Sequence, residues 1–184
     1  MTISVYTGSK VWDGPPRIGP SKKGHVEHGP GLYFTTSSEV ARTYAKGQRT
    51  ILRVELETPL RWLEDAVVPT TALVYWVGSR RGLRKKQAII DDLMRSERRT
   101  EERLGAGMSY AAPLVNLMVN YEVITGDHGP ALAEYLVSLG IDASHVRRGD
   151  TWVVLFNPAK VISWRKVRTD DPWDLPEVKR TSRP

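Results

Sequence analysis

The chain has 184 residues, 40% hydrophobic and 26% charged, which suits a single globular domain large enough to bury a core. No run approaches the roughly 18 apolar residues of a membrane span, and no signal-peptide core opens the chain, so the expected compartment is the cytoplasm. The lack of cysteine excludes disulfides, thiolate nucleophiles and cysteine-based zinc sites; the 4 histidines show no metal-ligand spacing, so no metal is expected. A net charge of +6 and a pI of 9.6 favour a polyanionic partner, nucleic acid or a phosphate-bearing ligand, or serve solubility alone.

In chain order, Thr2–Tyr6 alternates as a short strand. Residues 8–30 are rich in glycine and proline and read as a long loop carrying Arg17, Lys22, Lys23, His25 and His28. Leu32–Thr35 reads as a second strand. Ser37 or Ser38 then caps a helix with Val40, Ala41, Tyr44 and Ala45 on one face and Gly47 as its stop. Thr50–Glu57 alternates cleanly, with Leu52, Val54 and Leu56 on the buried side, and ends before Pro59.

From about Arg80 to Arg103 the periodicity predicts one charged helix with Leu83, Ile90, Leu93 and Met94 as its apolar stripe. It carries most of the chain's excess positive charge, including Arg80, Arg81, Arg84, Lys85 and Lys86. Two readings stand: a solvated face, or a face that binds nucleic acid by displacing counterions from phosphates. Gly105 and Gly107 break the helix. Further helices are expected over Ala112–Ile124 and Asp127–Leu139, the latter capped by Asp127. Thr151–Phe156 and Val161–Trp164 read as strands around an Asn157-Pro158 turn, and 170–184 as a loose tail. Strands at both ends with helices between them predict a mixed α+β domain spanning 1–169.

Two features point to chemistry. The strand end Tyr6-Thr7-Gly8-Ser9 lets a ligand approach the backbone at a glycine, where main-chain groups pair a carboxamide. Tyr33 on a strand and Tyr44 on the helix that follows can form the two walls of a cleft for a flat, electron-poor ring, with Ala41 leaving space beside it. On spacing alone, two ordinary core tyrosines remain the other reading.

The segments YTGS, GPGLYFTTSSEVARTYA and VVLFNPAKVISW resemble, in order, three blocks of the ADP-ribosyltransferase superfamily, closest to its poly(ADP-ribose)-polymerase-like, diphtheria-toxin-like branch. The resemblance implies a split mixed or antiparallel sheet with a helical insertion, here about 78–104. It implies NAD as substrate, with Tyr6, Thr7, Gly8, Ser9, His28, Gly31, Tyr33, Ala41 and Tyr44 around it. It further implies a mono-ADP-ribosyltransferase, of the kind found in bacterial or phage-related toxins, whose acceptor is nucleic acid or a protein, with an antitoxin or other protein as a possible partner.

Two positions depart from the branch. Thr7 stands where histidine is usual, and Trp152 falls where a glutamate stabilises the departing-nicotinamide transition state, with Asp150 two residues earlier. Three readings follow. Asp150 replaces that acid, with Tyr44 and Thr7 completing the catalytic set; or Glu27, Glu122 or Asp142 reaches in from a loop; or the fold is a binding module without catalysis. Of the other histidines, His128 reads as structural, and His145 sits beside Arg147 and Arg148 where an acceptor could meet it.

Overall fold

The structure is a computed structural model that describes residues 1–8, 12–20, 27–45, 50–148 and 150–168; for 147, 148, 150 and 151 only the backbone is described. A six-stranded sheet runs in the order β6-β7-β2-β1-β3-β8, built from β1 (Thr2–Thr7), β2 (Leu32–Thr35), β3 (Thr50–Glu57), β6 (Ala143–Arg148), β7 (Asp150–Leu155) and β8 (Val161–Arg168). Every pairing in it is antiparallel. A two-stranded sheet, β4 (Val67–Pro69) with β5 (Met108–Tyr110), frames the helices α2 (Thr70–Ser79) and α3 (Lys86–Leu104). The fold is therefore a mixed α+β one with α1 (Ser38–Tyr44), α4 (Ala112–Asn120) and α5 (His128–Ser138) completing the helices.

The alternation expected for the first strand and for Thr50–Glu57 sorts the sheet into two faces. Val5, Phe34, Leu52, Val54, Leu56, Val153 and Leu155 bury one face, with Trp12 and Trp164 packed on it. The opposite face is covered in two parts. Leu73, Val77, Ile89, Leu93, Leu114, Met118, Leu132 and Leu136 from α2–α5 form the main core over Val154 and Phe156. Ala41 and Ala45, from and just after α1, pack on Tyr6, Ile51 and Val167 at the other end.

Several expected boundaries move. The charged stretch is not one helix: α2 ends at Ser79, and residues 80–85 form a turn in which Gly82 and Lys85 have φ of 70° and 60°. Those left-handed residues interrupt the i→i+4 ladder and let α3 fold back on α2. The buried stripe of α3 is accordingly Ile89 and Leu93, whereas Met94 is exposed and Ile90 only half-buried. The helix expected over Ala112–Ile124 stops at Asn120, because Glu122 turns left-handed at φ 52°. Asp127 is itself in the right-handed helical region, and its carboxylate makes no cap hydrogen bond to α5. The last strand runs on to Arg168, while Gly47 and the 170–184 tail lie outside the described residues.

The β6 edge is closed by the segment at 61–64. Leu63 N–H donates to the Ala143 carbonyl at 2.8 Å, and Asp142 N–H to the Arg61 carbonyl at 2.9 Å. The buried Asp142 carboxylate accepts from Arg61 N–H at 3.1 Å and from Asn157 Nδ2 at 2.8 Å. The segment covers the edge at the start of β6. Among the described residues no helix is long and apolar enough to cross a membrane.

Candidate functional site

The turn from β2 into α1 is fixed by hydroxyls. Thr35 Oγ1 accepts from Ser37 N–H at 3.1 Å, and Ser37 Oγ accepts from Val40 N–H at 3.3 Å as the helix cap. This sets α1 across β1, β2 and β3. A Cβ at Gly8 would lie 2.4 Å from the Ala41 carbonyl oxygen and 2.6 Å from Ala45 N, so the absence of a side chain there is what lets α1 approach. At Gly31 a Cβ would meet Val154 Cγ1 at 2.6 Å and the Leu155 carbonyl oxygen at 2.8 Å. Both glycines of the motif are thus required by packing, independently of any ligand.

Register then decides which side chains meet. Tyr33 pairs with Val154 and Thr35 with Trp152, so these four side chains share the face that carries α1. Tyr33 lies against the main helical core, while its hydroxyl donates to the Gly29 carbonyl at 2.7 Å and accepts from His28 N–H at 3.2 Å. Burial pushes that hydroxyl up to about 12, against the opposing effect of the His28 N–H and with a small addition from Glu27. Tyr44, by contrast, is 59% exposed and sets its ring edge-to-face on Trp152, with centroids 5.1 Å apart at 85°. One tyrosine is pinned and the other projects, at the seam between α1 and the helical layer.

Tyr44 reaches Trp152, the cross-strand partner of Thr35, two residues along β2 from Tyr33.

The remaining expected residues are distributed unevenly. Tyr6 shares the α1 face through its pairing with Thr35, but is 1% exposed beneath Ala41 and Ala45; burial raises its hydroxyl above the usual range. Its ring is core, and its backbone is paired within the sheet between β2 and β3, so the structure does not bear out Tyr6 as a ligand contact. Thr7 ends β1 opposite Leu52 and by alternation falls on the other face, nearly buried. His28 enters through its backbone, and Ala41 is buried against the sheet. Ser9 and His25 lie outside the described residues, as does the Asp150 side chain, although the Asp150 backbone opens β7 opposite Arg148.

Trp152, where the resemblance would set an acid, is half-buried under Tyr44. Of the alternative acids, Asp142 is committed to holding the sheet edge. The carboxylate not foreseen from sequence is Glu64. It accepts from Ser144 Oγ and from His145 N–H, and its Oε2 lies 3.1 Å from His145 Nδ1. His145 also sets its ring edge-to-face on Trp62 at 5.2 Å. Ser144, Val154 and Tyr33 form one cross-strand row, which places Glu64 beside Ser144, two strands, or about 10 Å, from Tyr33. Glu64 lies in an irregular stretch with no period, which hides it from pattern reading.

A separate cavity of about 520 Å³ lies between the 16–18 segment, α5 and the 157–158 turn, lined by Ile18, Pro130, Val137 and Phe156 with Arg17 and Glu134. It contains neither tyrosine of the pair. Among the described residues no group of three or more His, Asp or Glu side chains is placed to hold a metal. Comparison of the chain with protein-family models, curated proteins and solved structures finds no match.

Proposed function

We propose that the chain is a mono-ADP-ribosyltransferase that cleaves NAD and transfers ADP-ribose to nucleic acid. One observation carries this reading: on the sheet face that α1 covers, Tyr33 is locked by two hydrogen bonds, while Tyr44 projects from α1 against Trp152, the cross-strand partner of Thr35. The nicotinamide of NAD is flat and cationic, so two aromatic faces attract it electrostatically as well as by contact. The backbone at Gly8 supplies the carboxamide partners, as the resemblance of YTGS implies.

In the reaction the bond between the ribose C1′ and the nicotinamide nitrogen breaks, and its electron pair leaves with neutral nicotinamide. An acceptor oxygen or nitrogen attacks C1′ and gives up its proton to a carboxylate or to water. A carboxylate beside the ribose stabilises the cationic transition state, a contribution that typically amounts to two or three orders of magnitude in rate. Asp150 at the start of β7 is the first assignment for that acid, and Glu64 the alternative. The acceptor class rests on charge: residues 66–90 hold no acidic side chain, while Arg81, Arg84 and Lys85 are exposed there.

The test is transfer from NAD labelled on its adenylate moiety into a total cell lysate, followed by separation of protein, RNA and DNA. Label in a nucleic-acid fraction, with nicotinamide released in step and both lowered at least tenfold in Tyr44→Ala, is the expected result. Label confined to protein overturns the acceptor; no nicotinamide release with any acceptor overturns the enzyme. Asp150→Ala and Glu64→Gln run in parallel identify the acid by which one loses rate.

A further inference from the structure

The α2–α3 corner carries a feature that charge alone does not explain. Tyr75 is 78% exposed on α2, where the buried side chains are Thr70, Leu73, Trp76 and Val77. A tyrosine ring left in water on a helix gains nothing for folding. Tyr75 shares its exposed stripe with Gly78 and Ser79, three and four residues on, so they are its immediate neighbours on the helix surface. Nothing lies within 4 Å of the point where a Gly78 side chain would begin. The result is an aromatic face beside an open, side-chain-free strip of helix.

Cations border that strip. Lys86 Nζ donates to the Gly78 carbonyl at 3.0 Å, which brings the start of α3 against it. Arg80 lies 5.7 Å over the Trp76 ring, and Trp76 in turn stacks on Tyr135 at 5.1 Å, so the guanidinium is held in place. Arg81, Arg84 and Lys85 follow in the turn, all exposed, and their side chains make no ion pair or hydrogen bond to another described residue. The left-handed φ of 60° at Lys85 is a conformation that a non-glycine residue adopts at a cost, and it helps keep these cations together on one turn.

We propose that this corner binds single-stranded nucleic acid, with a base stacked on Tyr75 over Gly78 and the strand's phosphates on Arg81, Arg84 and Lys85. Unpaired bases offer the face that an exposed ring takes up, whereas paired bases in a duplex are already stacked on one another. The inference deepens the reading of the acceptor as nucleic acid and adds strandedness and a docking surface to it. Binding at this corner needs no NAD.

The experiment is fluorescence anisotropy, without NAD, using a labelled single-stranded RNA of about 16 nucleotides, its DNA counterpart and the duplex of the same sequence. The intact chain should bind a single strand at least tenfold more tightly than the duplex. Tyr75→Ala should weaken that binding about tenfold with an unchanged salt dependence, and Tyr75→Phe should restore it. Replacing Arg81, Arg84 and Lys85 together by alanine should reduce the slope of log affinity against log salt by about 2. Preference for RNA or for DNA identifies the source of the strand, and either supports the proposal.

Duplex binding as tight as single-strand binding, or wild-type affinity in Tyr75→Ala, overturns it. Since Tyr75 and the three basic residues are exposed, far-ultraviolet circular dichroism of the variants should match the wild type. A chain that binds strands but never releases nicotinamide refutes the transferase and leaves this inference standing. Transfer to RNA at full rate and affinity by Tyr75→Ala does the reverse.

Discussion

Tyr33 is the residue on which the site and the fold meet. Its hydroxyl closes the 28–33 segment by accepting from His28 and donating to Gly29, and its burial raises the ionisation to about 12. Because the folded value exceeds the ordinary one near 10, the folded state holds this proton more tightly than the unfolded chain does. The stabilisation is fully present below pH 10 and is lost as pH rises from there through about 12. Urea unfolding across that window should show a falling midpoint in the wild type and a flatter one in Tyr33→Phe. At neutral pH the same variant should be about 1–2 kcal/mol less stable. An unchanged alkaline slope in Tyr33→Phe would assign the loss to other groups.

The tyrosine pair was legible from sequence as two positions in a glycine–strand–cap–helix order. The difference in how the two are held was not. Exposure of Tyr44 follows from the turn of α1 relative to the sheet, and its contact with Trp152 depends on the β2–β7 register, which pairs residues far apart in the chain. Thr7 and Tyr6 exchange their expected prominence for the same kind of reason: alternation puts Tyr6 on the α1 face, where the helix buries it, and Thr7 on the opposite one.

Among the elements, β1 and β3 were readable because each alternates and stops at a glycine or a proline, and β2 because a short apolar run precedes a serine cap. The three-residue strands β4 and β5 are too short to show a period. The sequence of α2, TTALVYWVGS, is rich in β-branched and aromatic residues and gives no helical signature. Strand β6, ASHVRR, is an edge strand whose pairing with the 61–64 segment is invisible locally. The charged stretch shows the limit most clearly, since no proline marks the break and only the left-handed Gly82 and Lys85 produce it.

The phase of α3 that results is testable by side-chain truncation. Ile89 is fully buried and Ile90 is only half-buried, the reverse of the stripe that a continuous helix from Arg80 implies. Ile89→Ala should cost about 2–5 kcal/mol and Ile90→Ala distinctly less, measured by denaturant midpoint at a constant slope. Equal losses would mean that α3 is turned differently on α2 and α4.

At the scale of the molecule, helices α2–α5 and, apart from them, α1 cover one sheet face, with Tyr33 against the first cover and Tyr44 projecting from the second, while the basic turn and Tyr75 stand at the α2–α3 corner. A nucleotide-binding seam and a separate strand-binding corner would give the chain one place for the donor and one for the acceptor. The donor claim is the central one, and calorimetric titration with NAD and with ADP-ribose, which lacks the nicotinamide, tests it most directly. The account predicts that Tyr44→Ala weakens NAD about fivefold to tenfold and leaves ADP-ribose within about twofold of the wild type. Equal losses for both ligands, or unchanged NAD affinity, would contradict a nicotinamide ring held between Tyr33 and Tyr44.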